Sequence, residues 1–205
     1  MRDDKGMLDT ASVTRLGVGA ALALGALFGV VLAQLHPAPA AYSAELIDPP
    51  VELAPFRLMS EDGLLTPSSL SQGWSLVFTG YTRCPDVCPT TLAQLAAAAR
   101  SLNAPPRIIF ATMDPRHDDL PRLTAYAAHF GDLVTPATGS REALEAFTAA
   151  FGFLAPDQVS PFDARVVAHS PTVVVVGPGA EIVARVRQPT TTNIVATIKR
   201  LRSQS

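Results

Sequence analysis

Cysteine is almost missing from this 205-residue chain, which has only Cys84 and Cys88. That scarcity excludes a fold stapled by disulfides, and it excludes iron–sulfur clusters and structural zinc sites built on four cysteines. Charge is also sparse. Asp, Glu, Lys and Arg make up 17% of the residues, below the roughly 25% of ordinary soluble chains. The 16 Lys+Arg and 18 Asp+Glu leave a formal charge of −2 with no basic block, so there is no electrostatic footprint for nucleic acid. Internal repeats are absent too. With 48% hydrophobic residues the chain is nonetheless rich enough in apolar side chains to fold. Its length fits one domain of about 100–200 residues plus an additional segment.

That additional segment lies at the N-terminus. Leu16 to Leu35 contains no charged residue, and about 20 apolar residues are enough for a helix to cross a bilayer. Arg2, Lys5 and Arg15 precede it, which keeps the N-terminus inside and exports the rest. A cleaved signal peptide is the competing reading, since small residues follow in PAPAAYSA, but the apolar run exceeds the usual signal-peptide core. Residues 1–35 are therefore expected to be a cytoplasmic tail and membrane anchor. Residues 36–55, with Pro37, Pro39, Pro49, Pro50 and Pro55, suit an extended tether. The folded domain is expected over 56–205, in an oxidising space where a cysteine pair has a redox state.

Within that domain the apolar patterns alternate between strand and helix. Phe56–Met59 and Leu64–Leu65 flank a turn; Trp74–Thr79 and Arg107–Thr112 read as core strands; Leu133–Val134 and Thr172–Val176 follow, the last forming a hairpin with Glu181–Arg185. Helices are expected over Thr90–Leu102, Asp118–Phe130, Ser140–Phe151 and Thr192–Leu201. The order implies a largely parallel α/β sheet closed by an antiparallel hairpin. A cysteine pair between the first core strand and a helix suggests a thioredoxin-like fold, with C-x-x-x-C in place of C-x-x-C.

At a helix N-terminus thiols tend toward thiolates, which attack disulfides and bind soft metal ions. Both outcomes are open to Cys84 and Cys88. Two thiolates and one imidazole suffice for copper, which makes the four histidines decisive. His36 lies in the tether, and His117 and His129 fall on surface positions where solvated or capping roles are expected. His169 directly precedes the Val173 strand, and in a thioredoxin-like sheet the loop entering that strand lies beside the cysteine turn. Asp114 is expected to cap the loop after the second core strand. Arg185, Arg187, Lys199, Arg200 and Arg202 read as solvated charge.

The segment Phe78-Thr-Gly-Tyr-Thr-Arg-Cys84-Pro-Asp-Val-Cys88-Pro resembles the cysteine signature of the Sco/SenC/PrrC proteins, and Asp114-Pro115 with Asp118 is similar to their D-P-x-x-D segment. Thr138–Ala143 and His169 ahead of an apolar strand extend the likeness to about residues 50–202. The resemblance implies an anchored thioredoxin-like domain whose copper ligands are Cys84, Cys88 and His169. It also implies delivery of copper to the binuclear centre of cytochrome c oxidase subunit II, or another periplasmic acceptor, from the bacterial inner membrane. A thiol reductant protein is the further partner it implies. Two departures stand out. Ala168 replaces the usual Asp before the histidine, and Pro171 gives Ser-Pro-Thr, similar to the cis-proline loop of thioredoxins. The latter favours the alternative function, a thiol–disulfide oxidoreductase in which Cys84 attacks and Cys88 resolves. A binding module with a static disulfide is the third reading.

Overall fold

The computed structural model describes residues 44–153 and 171–204. In chain order these form β1 (Ala44–Glu52), β2 (Leu58–Ser60), β3 (Gly63–Leu65), the short helix α1 (Pro67–Leu70), β4 (Ser75–Gly80), α2 (Val87–Arg100) and β5 (Arg107–Thr112). Then come α3 (Leu120–Ala127) with a 3-10 turn (Ala128–Phe130), β6 (Val134–Thr138), α4 (Arg141–Ala150), β7 (Val173–Gly177), β8 (Glu181–Val186) and α5 (Thr191–Arg202). The strands make one sheet in the order β1-β8-β7-β4-β5-β6-β2-β3.

Strand alternation divides the core between two faces. Leu76 and Phe78 of β4, with Ile108 and Phe110 of β5, point toward Leu92 and Leu95 of α2, Leu123 of α3 and Ile194 and Ile198 of α5. Val77, Ile109 and Ala111 point the other way, onto Leu144 and Phe147 of α4 and onto Phe151. Because both faces are covered, β4, β5 and β7 read as continuous apolar runs rather than alternating ones. Each fully buried Leu, Ile or Phe contributes about 1.5–3 kcal/mol. The helices begin where their caps lie. Asp119, Ser140 and Thr190 each accept the backbone N–H three residues on, opening α3, α4 and α5.

The structure corrects several expectations. The sheet is mixed rather than largely parallel, since only β4–β5 and β5–β6 pair in parallel and the flanking pairs are antiparallel. Half of the supposed tether is a strand: β1 pairs with β8 from Ala44↔Val186 to Glu52↔Glu181. Its prolines misled because they sit at the irregularity between Leu46 and Val51, on an edge strand, where a missing N–H costs no ladder bond. Asp48-Pro49 is cis. Trp74 is half-buried just ahead of β4 rather than in its core, with the Arg202 guanidinium 5.9 Å from its ring centroid. Among the surface cations, Arg187 pairs with Glu45 at 2.8 Å and Arg185 donates to the Phe151 carbonyl. Among the described residues no helix is long and apolar enough to cross a membrane. The expected anchor (16–35) and the expected ligand His169 lie outside those residues.

Candidate functional site

β4 delivers the cysteines to the end of the sheet. Its last residue is locked by the Met113 N–H, which donates to the Gly80 carbonyl at 2.7 Å. The chain then turns, with the Cys84 N–H on the Tyr81 carbonyl at 3.2 Å, and α2 starts at Val87, inside the cysteine loop and three residues before the expected Thr90. Cys88 is therefore the second residue of the helix and Pro89 the third, still in the first turn, where a proline removes no helical bond. The Asp86 side chain, at the capping position, makes no capping bond. Instead the Cys88 N–H points at the Cys84 sulfur, 3.4 Å away. The sulfur thus occupies the place of an N-cap acceptor, at the positive end of the helix dipole.

Both cysteines are free and buried, 6% and 4% exposed, yet their environments push them apart. Burial raises the Cys84 thiol, but hydrogen bonds from the Cys88 backbone and thiol, the Asp86 backbone and the Tyr81 hydroxyl outweigh it and hold Cys84 below its ordinary value. Burial raises Cys88 to about 12, with no comparable set of donors to offset it. Cys84 is thus the more readily ionised thiol of the pair, and Cys88 holds its proton.

Two carboxylates from one short segment hold the approach to Cys84. Asp118, fully buried, accepts from the Thr82 N–H (2.9 Å), the Thr82 hydroxyl (2.5 Å) and the Thr112 hydroxyl (2.8 Å). Asp114, nearer solvent, accepts from Arg83 Nη2 at 2.7 Å and lies 2.8 Å from His117 Nδ1. Burial raises its carboxyl, and His117 and Arg83 together pull it below the ordinary value. Gly80 completes the inner wall: a β-carbon there would meet the Cys88 sulfur at 2.7 Å and Phe110 at 3.0 Å.

Cys84 and Cys88 thus come together as expected, whereas His169 lies outside the described residues. Asp114 does secure its loop, but through Arg83 and His117, and His117 is drawn into that cluster rather than merely solvated. His129 caps locally, 3.2 Å from the Tyr126 carbonyl. Gly80 escaped sequence reasoning; its only signal was its place in the cysteine segment. Among the described residues no group of three His, Cys, Asp or Glu forms a metal cluster.

Residues 45–203 match the SCO1/SenC family. A protein of Stutzerimonas stutzeri named for copper binding is 29% identical over 125 residues, covering 59% of this chain and 61% of the relative's own length. The solution structure of apo Sco1 from Thermus thermophilus superposes with a TM-score of 0.65 at 28% identity, over 80% of this chain and 99% of that one. Yeast Sco1 with copper bound superposes with a TM-score of 0.66 at 23% identity, over 76% and 91%. These likenesses identify the mixed sheet as the thioredoxin-like fold of Sco structures.

Proposed function

The chain belongs to the SCO1/SenC family, and from that premise we propose that it is a copper-binding protein of cytochrome c oxidase assembly. It passes copper to the binuclear centre of subunit II or to another periplasmic acceptor. One observation carries the reading: two reduced thiols lie side by side at a helix N-terminus, with the Cys88 amide on the Cys84 sulfur. That is a soft, low-coordination donor set suited to copper. The copper-binding name of the Stutzerimonas stutzeri relative supports it. Cys84 and Cys88 are the thiolate ligands, and His169, four positions ahead of β7 in the sequence, is the third donor. Residues 16–35 anchor the protein in the bacterial inner membrane, with the domain in the periplasm.

Cargo handling follows from the thiols. Cys88 must lose a firmly held proton to become a ligand, so uptake releases protons and strengthens as pH rises. Oxidation of the pair removes both ligands, which makes a thiol reductant protein a necessary partner. Titration of the reduced full-length chain with Cu(I) is expected to show tight binding of one ion, weakened in His169→Ala. Unchanged binding in that variant would remove His169 from the ligand set.

The unequal thiols favour a second reading, a thiol–disulfide oxidoreductase in which Cys84 attacks and Cys88 resolves. Turnover on a protein disulfide without metal, abolished in Cys84→Ser, would establish it.

A further inference from the structure

Among the described residues Asp118 is the one charged side chain that is buried. No cation among them meets it, and its carboxylate takes bonds from two threonines alone. Burying a charge without a cation is costly, and apolar groups filling the same space in place of all three side chains would pack as well. What a satisfied buried polar network adds is a single, rigid geometry.

The bonds show which geometry. Two of the three go to one residue, Thr82, through its backbone N–H at 2.9 Å and its hydroxyl at 2.5 Å. Thr82 is the second residue of the turn Tyr81–Cys84, which the Cys84 N–H closes on the Tyr81 carbonyl at 3.2 Å. In such a turn the N–H of the second residue has no partner inside the turn, and here Asp118 supplies one. The same turn leaves the Cys84 sulfur 3.4 Å from the Cys88 N–H. Asp118 is itself fastened: its N–H donates to the Asp114 carbonyl at 2.9 Å, and its own carbonyl accepts from the Thr138 hydroxyl of β6 at 3.3 Å. The carboxylate is a fixed post to which the cysteine turn is tied.

We propose that Asp118 is a positioning residue for the dithiol: by holding both the backbone N–H and the hydroxyl of Thr82, it fixes the turn that sets the Cys84 sulfur against the Cys88 N–H. For copper this rests on the function proposed above; for the metal-free dithiol it does not.

The test uses full-length chains purified in detergent. Asp118→Ala removes the post, and Thr82→Val removes one of its two grips on the turn while keeping the carboxylate. Asp118→Asn is the conservative rescue, since its amide oxygen still accepts from the Thr82 N–H and the threonine hydroxyls can accept from its amide nitrogen. Leu144→Ala, buried on the opposite face of the sheet, lowers the unfolding temperature without touching the turn. Hydrogen exchange of the reduced, metal-free chains over residues 81–88, read by mass spectrometry, is expected to run about tenfold faster in Asp118→Ala and severalfold faster in Thr82→Val. Asp118→Asn and Leu144→Ala should match wild type there, because a turn opens locally rather than with the whole fold. In competition titrations with Cu(I), Thr82→Val is expected to bind severalfold more weakly, and with Cu(II) bound its thiolate-to-copper absorption should shift; Leu144→Ala should change neither. If Asp118→Ala does not fold, Thr82→Val decides. If wild type takes up no copper, the copper function fails and the exchange arm alone decides on Asp118. Exchange over 81–88 that merely follows the unfolding temperature across the variants would overturn the proposal. So would Asp118→Asn exchanging as fast as Asp118→Ala, since the charge and not the grip would then matter.

Discussion

The two sides of the cysteine turn are built on opposite principles. On the inner side Asp118 is fully buried and takes three hydrogen bonds from Thr82 and Thr112, while Gly80 and Phe110 press against the Cys88 sulfur. On the outer side Asp114 holds Arg83 and His117, both about half exposed, at 2.7 and 2.8 Å. Adjacent residues, Thr82 and Arg83, are thus gripped from opposite sides by carboxylates four positions apart. Water is the difference. A buried carboxylate cannot exchange its partners for solvent, so the inner side fixes geometry; a solvated ion pair is screened and replaceable, so the outer side only biases it.

The largest expected contrast is between the sulfurs. With Cys84 held below the ordinary thiol value and Cys88 raised to about 12, their thiolate populations differ by a factor on the order of 10³ or more at neutral pH. Iodoacetamide at pH 8 should label Cys84 alone, as read by peptide mass spectrometry, with a rate that rises with pH to a midpoint below the ordinary thiol value. Equal labelling would erase the asymmetry. Next comes Asp118→Ala, which strands buried donors from Thr82 and Thr112 and should cost about 3 kcal/mol or more in urea unfolding. A loss no larger than that of Asp114→Ala would break the contrast between the two sides.

Gly80→Ala is expected to cost about 1–3 kcal/mol, because the added methyl must displace the Cys88 sulfur or the Phe110 ring. It should lower copper affinity in parallel. The smallest effect belongs to Asp114→Asn, at most about 1 kcal/mol at pH 7 and less in high salt. The folded-state carboxyl titrates below its ordinary value, so its contribution is present above roughly pH 4 and is lost as pH falls through the depressed value. Wild type and variant should therefore converge in stability in acid. A gap that persists in strong acid would mean the outer carboxylate acts through packing instead.

Much of this was visible in the chain itself. The runs Arg107–Thr112 and Val173–Val176, the cap at Ser140 and the cysteine pair were legible because each depends on neighbours a few positions away. Asp118 was flagged by its motif, but its grip on Thr82 spans 36 positions and exists only because β4 and β5 lie side by side. Gly80 is decided by where the Cys88 sulfur and the Phe110 and Phe78 rings meet across the sheet, which no local pattern encodes. β1 was hidden for another reason: its prolines read as tether until the edge of a sheet made them harmless.

That edge strand also has a mechanical consequence. A tug arriving along the chain ahead of Ala44 is met first by the β1–β8 hydrogen bonds and by the clasp between Glu45 and Arg187. In the sheet order, β8 and β7 stand between that grip and β4, the strand that carries the dithiol. Under such a load β1 would act like the strain relief on a cable, taking up the pull at the sleeve while the contacts at the far end stay aligned.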